Sequence, residues 1–292
     1  MPDLYPDEAA LPDALFDRGV EPRIEVWDDP DVNWDASGMV VVRSVVDYAS
    51  DREHFLHWAS QVPRLLNHAD VLRWNSDKHY LTELAKLGLP TIGTTWLSAD
   101  RGYNKQQVHS RFPAHGDFVL KPAVSSGVRD IGRYTANSVP QRQAAMGHVM
   151  ALLGQGRDVM IQRYQEDVET QGEMSLVFFN GHLSHAVDKR PLLSPDTVTP
   201  GENILEMDVT VHDVTDQELG WGERIRKILH QYVQSRMGRD EQFLYNRVDL
   251  VPDGEGSFVV MEIALVDGDL YFDSDPEAIG NFADAIAMRA FW

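Results

Sequence analysis

Apolar runs of strand length alternate with longer amphipathic stretches along most of this chain. Runs such as FVLKP and VMIQRY predict strands, and stretches with apolar residues at helical spacing predict the helices between them. This alternation is typical of an α/β or α+β protein rather than of a β-sandwich or a helical bundle. We therefore predict the α+β class, with an α/β arrangement in the N-terminal lobe.

The N-terminal part of the chain predicts short elements. The segment DEAALPDALFDRG predicts a helix, and residues 23–27 and 39–43 predict strands. Ser50 and Asp51 have the side chains that cap a helix N-terminus, and the apolar spacing after them runs to about residue 60. A helix is expected there.

A second capping signal follows at Asn75 or Ser76, ahead of a helical pattern that ends before Pro90. Lys78 would then lie in the first turn of that helix. Residues 92–96 and 118–120 predict strands, with a polar helix between them and a small-residue loop after them.

The C-terminal half is richer in consecutive strands. Asn180-Gly181 predicts a tight hairpin between EMSLVFF and HLSHAVDK. Residues 190–215 are rich in Pro, Thr, Asp and Ser and predict a mobile loop, and residues 217–236 predict a long amphipathic helix. Strands FLYNRVDLVP and SFVVMEIAL follow, and Asp275 with a proline after it predicts the start of the last helix.

The composition of the chain excludes some classes of partner and of chemistry. The 292 residues are 43% hydrophobic, enough for a packed core, and a net charge of −20 disfavours a nucleic-acid or anionic-membrane surface. Cysteine is absent, which excludes disulfides and thiolate chemistry. The segment MPDLYPDEAA lacks the basic start and apolar core expected of a signal peptide, and no apolar stretch approaches the roughly 20 residues of a membrane span. We expect a cytoplasmic protein with neither nucleic-acid nor membrane partners.

Two carboxylates on the last predicted hairpin, Asp249 and Glu262, carry the clearest chemical signal. On neighbouring strands they can face one point, and magnesium takes one or two protein carboxylates beside phosphate oxygens and water. Strands often expose single acids, so this pair alone is weak evidence. Arg247, two residues before Asp249 and hence on the same face, adds the cation that a transferring phosphoryl group needs.

Lys121 ends an apolar strand directly before the loop AVSSGVRD. Ser125, Ser126 and Gly127 in that loop offer hydroxyl and backbone donors to phosphates, although the loop is not a Walker sequence. Lys78 supplies a further positive charge. A lysine at a strand end or on a helix turn is usually a solvated tip, so each residue alone says little.

The strand VMIQRY can offer backbone groups to an adenine edge, and Glu173 beyond it can accept hydrogen bonds from ribose hydroxyls. Lys189 and Arg190, at the end of the following hairpin, could hold a carboxylate or a γ-phosphate, although a basic pair at a strand end is often an ordinary surface feature.

This order of parts resembles the ATP-grasp superfamily from about residue 75 to the C-terminus. The phrases MVVVRSVVDY, GEMSLVFFNGHLSHAVDKRP and RVDLVPDGEGSFVVMEIAL resemble the branch of cycloserine-forming O-ureido-serine cyclo-ligases. The resemblance implies ATP and Mg²⁺ as cofactors and these roles: Lys78 and Lys121 on phosphates, Gln162, Arg163 and Tyr164 on adenine, Glu173 on ribose, Arg247 on phosphate in catalysis with Lys121, and Asp249 with Glu262 on metal.

The resemblance also implies three subdomains, which we place at residues 1–98, 99–160 and 161–292. Two features depart from the family pattern. Ala264 stands where many members have asparagine, which leaves Asp267 or water to complete a second magnesium site. The chain also begins at about the first helix rather than at the strand before it, as a start codon read too late would explain.

The function implied is a ligase that activates a carboxylate as an acyl phosphate and joins it to a nitrogen, by ring closure of O-ureido-D-serine. An intermolecular amino-acid or peptide ligase and a non-catalytic nucleotide-binding regulator are the alternatives. We expect a small amino-acid-like substrate, bound by Arg43, Asp47 and Tyr48 with Lys189 and Arg190 as further candidates, and we expect a homodimer.

Overall fold

The structure is a computed structural model that describes residues 4–191, 193, 208–238, 242–254 and 256–291. The α-helices are α1 (Leu11–Phe16), α2 (Arg52–Gln61), α3 (Ala69–Asn75), α4 (Tyr80–Lys86), α5 (Lys105–His109), α6 (Val139–Gly154), α7 (Val168–Gln171), α8 (Asp216–Met237) and α9 (Ala278–Ala290). The strands are β1 (Val40–Val41), β2 (Leu65–Leu66), β3 (Thr94–Leu97), β4 (Asp117–Pro122), β5 (Gly132–Thr135), β6 (Val159–Arg163), β7 (Glu173–Phe179), β8 (His182–Lys189), β9 (Val209–Val211), β10 (Tyr245–Pro252) and β11 (Phe258–Ala264).

Two antiparallel sheets organise the fold. The larger has the strand order β11-β10-β7-β8-β9, and the smaller has the order β3-β6-β4-β5. Strands β1 and β2 form a separate parallel pair. The smaller sheet takes β3 from before the predicted boundary at residue 99, and β6 spans the boundary at residue 160. The sheet therefore does not follow those two boundaries, and the division into three subdomains remains a prediction.

Helices cover both faces of the larger sheet. Ile225 and Leu229 of α8 belong to the same core as Leu176 of β7, while Phe282 of α9 packs with Val177 of β7 on the opposite face. Side chains alternate between the two faces of a strand. The face under α9 continues along the strands past the helix, where its residues become polar.

The smaller sheet is covered on one face by α6. Phe118 and Leu120 of β4 share a core with Val149 of α6. The alternate residues Val119 and Lys121 lie on the other face, toward the larger sheet. One short strand thus supplies core residues on one face and cleft-lining residues on the other.

Most predicted elements are confirmed, and the differences are local. Asp51 accepts a hydrogen bond from the His54 N–H and so caps α2, and Asn180 and Gly181 have positive φ angles in the β7–β8 turn. The strand predicted at residues 23–27 is wrong, because that segment has no strand pairing. The last helix begins at residue 278, after a turn in which Asp275 caps the Glu277 N–H, rather than at Pro276.

The helix predicted to begin after Asn75 or Ser76 also differs. Asn75 is the last residue of α3, and its side chain binds the β11 backbone at Ile263 and Leu265. Lys78 therefore lies in the connection before α4 and not in a helical turn. Most of the loop predicted at residues 190–215, namely 192 and 194–207, lies outside the described residues. Within the described ranges, no helix is long and apolar enough to cross a lipid bilayer.

Candidate active site

A cleft of about 450 Å³ separates the two sheets. It is lined by residues from β4 and β6 on one side and from β7, β8, β10 and β11 on the other. The sequence-predicted residues that line it are Tyr48, Lys78, Lys121, Ser125, Ser126, Gly127, Gln162, Arg163, Tyr164, Glu173, Lys189, Arg190, Arg247, Asp249 and Glu262. Residues spread over more than 200 positions of the sequence thus meet at one place.

One part of the cleft has apolar walls. Ile92, Val119, Val168 and Met261 line it, a surface that suits a planar aromatic ring such as adenine. The end of β6 supplies its polar edge. There, Gln162 is buried and its amide donates to Thr94 Oγ1 at 2.9 Å.

Tyr164 is less available than the sequence suggests. Its backbone N–H donates to the Asp117 carbonyl, and its hydroxyl donates to Glu169 Oε1 at 2.9 Å. The Arg133 guanidinium lies 3.6 Å from the centre of its ring. An adenine contact through the Tyr164 N–H would have to break the bond to Asp117. Arg163 is exposed at the rim, where it donates to the His115 carbonyl.

The small-residue loop connects β4 to β5 beside Lys121. The Lys78 N–H donates to the Ala123 carbonyl at 2.8 Å, which ties the α3–α4 connection to this loop. Gly127 has a φ of +62°, a conformation that glycine adopts without strain, and Ser125 Oγ is buried without a partner among the described residues. The loop therefore presents an unused hydroxyl next to the two lysines.

Lys121 and Lys78 differ in their partners. Lys78 Nζ donates to Glu262 Oε1 at 3.0 Å. Lys121 makes no ion pair with a described residue, and burial lowers the pKa of its ammonium. A buried cation without a direct ion pair favours an anionic ligand.

The two predicted metal carboxylates stand opposite each other. Asp249 of β10 and Glu262 of β11 are a cross-strand pair, and a β-bulge follows directly in the ladder. Bulges re-aim side chains and are frequent beside active sites. Directly opposite residues lie on one face of an antiparallel ladder, so both carboxylates face the same point of the cleft.

The Asp249 carboxylate already has several hydrogen-bond donors around it. Its Oδ1 accepts from Ser175 Oγ at 2.6 Å and from Arg247 Nε at 2.8 Å, and its Oδ2 accepts from Arg247 Nη2 at 2.8 Å with Lys189 Nζ at 3.3 Å. Burial opposes ionisation, but Arg247 and Lys189 outweigh it and lower the pKa of the Asp249 carboxyl. A metal bond to Asp249 would require one donor to leave, and Lys189 is the most distant.

The Glu262 carboxylate is more accessible from the cleft than that of Asp249. Its side chain is 33% exposed to the cleft. Burial raises the pKa of the Glu262 carboxyl, but Lys78 and Arg247 outweigh burial and keep it lowered. Two adjacent ionised carboxylates are the hard oxygen donors that Mg²⁺ takes beside phosphate and water, so this donor set fits that ion.

Glu173, Lys189, Arg247 and Asp249 form a charged cluster in the cleft. Its carboxylate pairs with Lys189 Nζ, and both groups are largely buried. Burial raises the pKa of Glu173, whereas the neighbouring carboxylates overcome the effect of burial on Lys189 and raise the pKa of its ammonium. A ribose contact by Glu173 would compete with this ion pair. Arg190 lies at the rim and pairs with Asp208 at 3.2 Å, with both side chains exposed.

Only some of the predicted substrate residues line the cleft. Tyr48 is buried and lines the cleft, but Arg43 and Asp47 do not line it. The buried Arg43 guanidinium binds the buried carboxylate of Glu8, and Asp47 is an exposed residue that accepts from Trp27 Nε1 at 3.3 Å. Each of the two residues has a partner inside the protein, and the expectation that they recognise one substrate together stays a prediction.

Three further residues line the cleft without having been predicted to contact a substrate: Tyr5, Asp267 and Tyr271. Asp267 was considered only for a second metal. Its Oδ2 instead accepts from Tyr5 and from the Val45 N–H, and the described residues contain no cluster of three or more potential metal ligands. The aromatic residues gave no sequence signal, because they come from remote parts of the chain.

Known proteins share this architecture. The chain is 30% identical over 288 residues to the cycloserine biosynthesis protein DcsG of Streptomyces lavendulae, covering 97% of this chain and 93% of that protein. This chain belongs to the DcsG family. The family described as the N-terminal domain of D-cycloserine synthetase DcsG matches residues 1–67.

Solved structures agree with this assignment. The crystal structure of D-cycloserine synthetase DcsG superposes with a TM-score of 0.84 at 29% identity, covering 97% of this chain and 94% of that one. A RimK-domain ATP-grasp protein of Sphaerobacter thermophilus superposes with a TM-score of 0.62 at 16% identity, covering 98% and 97%. The predicted ATP-grasp fold is confirmed, and this DcsG-family chain is an ATP-dependent ligase.

Proposed function

We propose that this DcsG-family ligase converts a substrate carboxylate into an acyl phosphate and joins it to a nitrogen of the same molecule. The substrate proposed is O-ureido-D-serine and the product is D-cycloserine, with ADP, phosphate, carbon dioxide and ammonia released. The observation that carries the proposal is the meeting of Asp249 and Glu262 with Lys78 and Lys121 in one cleft. The 30% identity to a cycloserine biosynthesis protein supports this choice of product.

The charges of the cleft suit phosphoryl transfer from ATP. The ammonium groups of Lys78 and Lys121 would hold phosphate oxygens, and the Ser125-Ser126-Gly127 segment would cover them and exclude water. Asp249 and Glu262 would hold Mg²⁺, which when bound neutralises charge on the phosphates. Positioning and charge neutralisation supply most of the catalysis in such transfers.

Arg247 has the most constrained role. Its guanidinium is buried, binds both oxygens of Asp249, and donates through Nη1 to the Asp269 carbonyl at 2.8 Å. We assign it to hold the metal carboxylate and to stabilise the negative charge on the oxygens of the phosphoryl group during its transfer. The ureido nitrogen that is bonded to the side-chain oxygen then attacks the acyl carbon and loses its proton as the carbon–oxygen bond to phosphate breaks. Hydrolysis of the carbamoyl group by one water molecule leaves hydrogen on that nitrogen and releases carbon dioxide and ammonia.

The test is ATP-dependent phosphate release with O-ureido-D-serine, together with the mass of the organic product. We expect one phosphate per molecule of cycloserine. A product that joins two molecules would favour an intermolecular ligase. No phosphate release with any amino-acid or peptide substrate, despite ATP binding, would favour a non-catalytic nucleotide-binding protein and contradict the proposal.

A further inference from the structure

The end of the cleft beyond β11 contains a carboxylate that is only half satisfied. Asp267 Oδ2 accepts from the Tyr5 hydroxyl at 2.8 Å and from the Val45 N–H at 3.1 Å. Its Oδ1 is buried and has no hydrogen-bond partner in the part of the chain that the structure describes. A buried acceptor of this kind costs free energy unless a ligand supplies the missing donor.

Among the described residues, the Asp267 carboxylate also makes no ion pair. The neighbouring Arg43 is committed to Glu8, with Nε at 2.7 Å from Glu8 Oε1, and its guanidinium lies over the Tyr245 ring at 5.1 Å. Both groups that donate to Asp267 are neutral. Burial raises the pKa of Asp267, and the attraction of the Arg43 charge offsets this effect only in part.

A second unpaired group lies in the same cleft. The hydroxyl of Tyr271 is buried and has no hydrogen-bond partner among the described residues. Its ring is held near two cations, with Lys189 Nζ at 5.9 Å and Arg247 Cζ at 5.5 Å from the centroid. Tyr271 therefore belongs to the charged cluster as well as to the end that contains Asp267.

We propose that Asp267 binds the ammonium group of an amino-acid substrate. The Tyr271 hydroxyl then hydrogen-bonds the same substrate at a point between Asp267 and the charged cluster. This inference rests on the proposed function, since it assumes that the cleft holds an amino acid. It assigns the substrate end to residues that follow β11 and replaces the Arg43 and Asp47 assignment.

The experiment measures substrate binding in protein loaded with a non-hydrolysable ATP analogue and Mg²⁺. Calorimetry compares O-ureido-D-serine with the analogue that carries hydrogen in place of the amino group. The wild-type protein should prefer the amino compound by on the order of 30-fold or more, the effect of one buried charge pair. Asp267→Asn keeps an acceptor for Tyr5 and Val45 but removes the charge, and it should reduce the preference to about 3-fold or less with nucleotide affinity unchanged.

Asp273→Asn is the matched control, because it removes an exposed aspartate six positions away that does not line the cleft. It should retain the wild-type preference. Equal binding of the two compounds to wild-type protein overturns the inference, and this comparison needs no variant to fold. A wild-type preference retained in Asp267→Asn also overturns it. No binding of either compound likewise overturns it. Failure of the proposed function is a separate result, seen when the amino compound binds with the wild-type preference but no ADP forms after ATP replaces the analogue.

Discussion

Replacing Gly268 with alanine should damage the site through steric contacts with two neighbouring residues. A Cβ atom at this position would lie 2.6 Å from the Ala264 Cβ and 3.0 Å from Arg247 Nη1. The φ angle of Gly268 is not in the left-handed region, so backbone strain adds nothing to the effect. Ala264 is fixed in β11 opposite Arg247 of β10, which leaves the guanidinium as the group most able to move.

The magnitude follows from what Arg247 would lose. Overpacking a filled site costs about 1 to 3 kcal/mol of unfolding free energy. If the guanidinium turns away, transition-state stabilisation falls by about 3 kcal/mol, the typical loss for one charge-stabilising donor. That loss corresponds to roughly 150-fold in kcat/KM. The assay is ADP formation with O-ureido-D-serine, with urea unfolding measured on the same preparations.

Gly147→Ala is the matched control. Gly147 lies exposed within α6 and has no atom within 4 Å of an added Cβ, so alanine should stabilise the helix by up to about 1 kcal/mol without affecting turnover. A Gly268→Ala protein with wild-type kcat/KM and wild-type stability would refute the packing described around Arg247.

Further predictions concern the charged cluster, the loop and one histidine. Lys189→Met leaves two carboxylates buried without their shared cation and should lower the unfolding free energy by about 3 kcal/mol or more in urea titrations; a loss below about 1 kcal/mol contradicts the pairing. Amide exchange at residues 123–130 should slow with ATP and Mg²⁺ but not with adenosine, and equal protection by both would exclude a phosphate lid. Burial lowers the pKa of His212, but its two carboxylate partners outweigh burial and raise it. The stabilisation is thus complete below about pH 6.5 and is lost as the pH rises through the folded-state pKa. His212→Gln should flatten this decline in urea unfolding above that pH, and an unchanged profile would contradict the ion pair.

Local patterns were enough to predict the elements that carry the site. The apolar run FVLKP predicted a strand that ends near Lys121, and the spacing of Arg247 and Asp249 placed both on one face of β10. Such inferences succeed because the side-chain period of a strand is fixed by its backbone. The hairpin at Asn180-Gly181 succeeded for a similar reason, since few residues adopt two positive φ angles in succession.

Partners that are distant in the sequence could not be predicted in the same way. Arg43 looked like a free charge after an apolar run, but Glu8, 35 residues earlier, neutralises it in the interior. Asn75 looked like a helix cap, but it serves as a bridge to β11, 188 residues later. The Asp267 carboxylate accepts a hydrogen bond from the Tyr5 hydroxyl, 262 residues away. No local pattern reports these contacts, because they depend on how the sheets and termini pack.

The packing also bears on the alanine that departs from the family pattern. Gly268 lies so close to Ala264 that two β-carbons could not both fit there. A larger side chain at position 264 would meet the same segment and the Arg247 guanidinium. We infer that small residues are needed at both position 264 and position 268. Asp249 and Glu262 are then the carboxylates available for metal.

The most direct measurement follows the carboxylate oxygen of the substrate. O-ureido-D-serine labelled with a heavy oxygen isotope in its carboxylate is turned over with unlabelled ATP and Mg²⁺, and the released phosphate is analysed by mass spectrometry. An acyl phosphate forms when that oxygen attacks the γ-phosphate, and ring closure then leaves the oxygen on phosphate. One labelled oxygen per phosphate is the predicted result. Unlabelled phosphate accompanied by cycloserine formation would contradict carboxylate activation as the chemistry of this cleft.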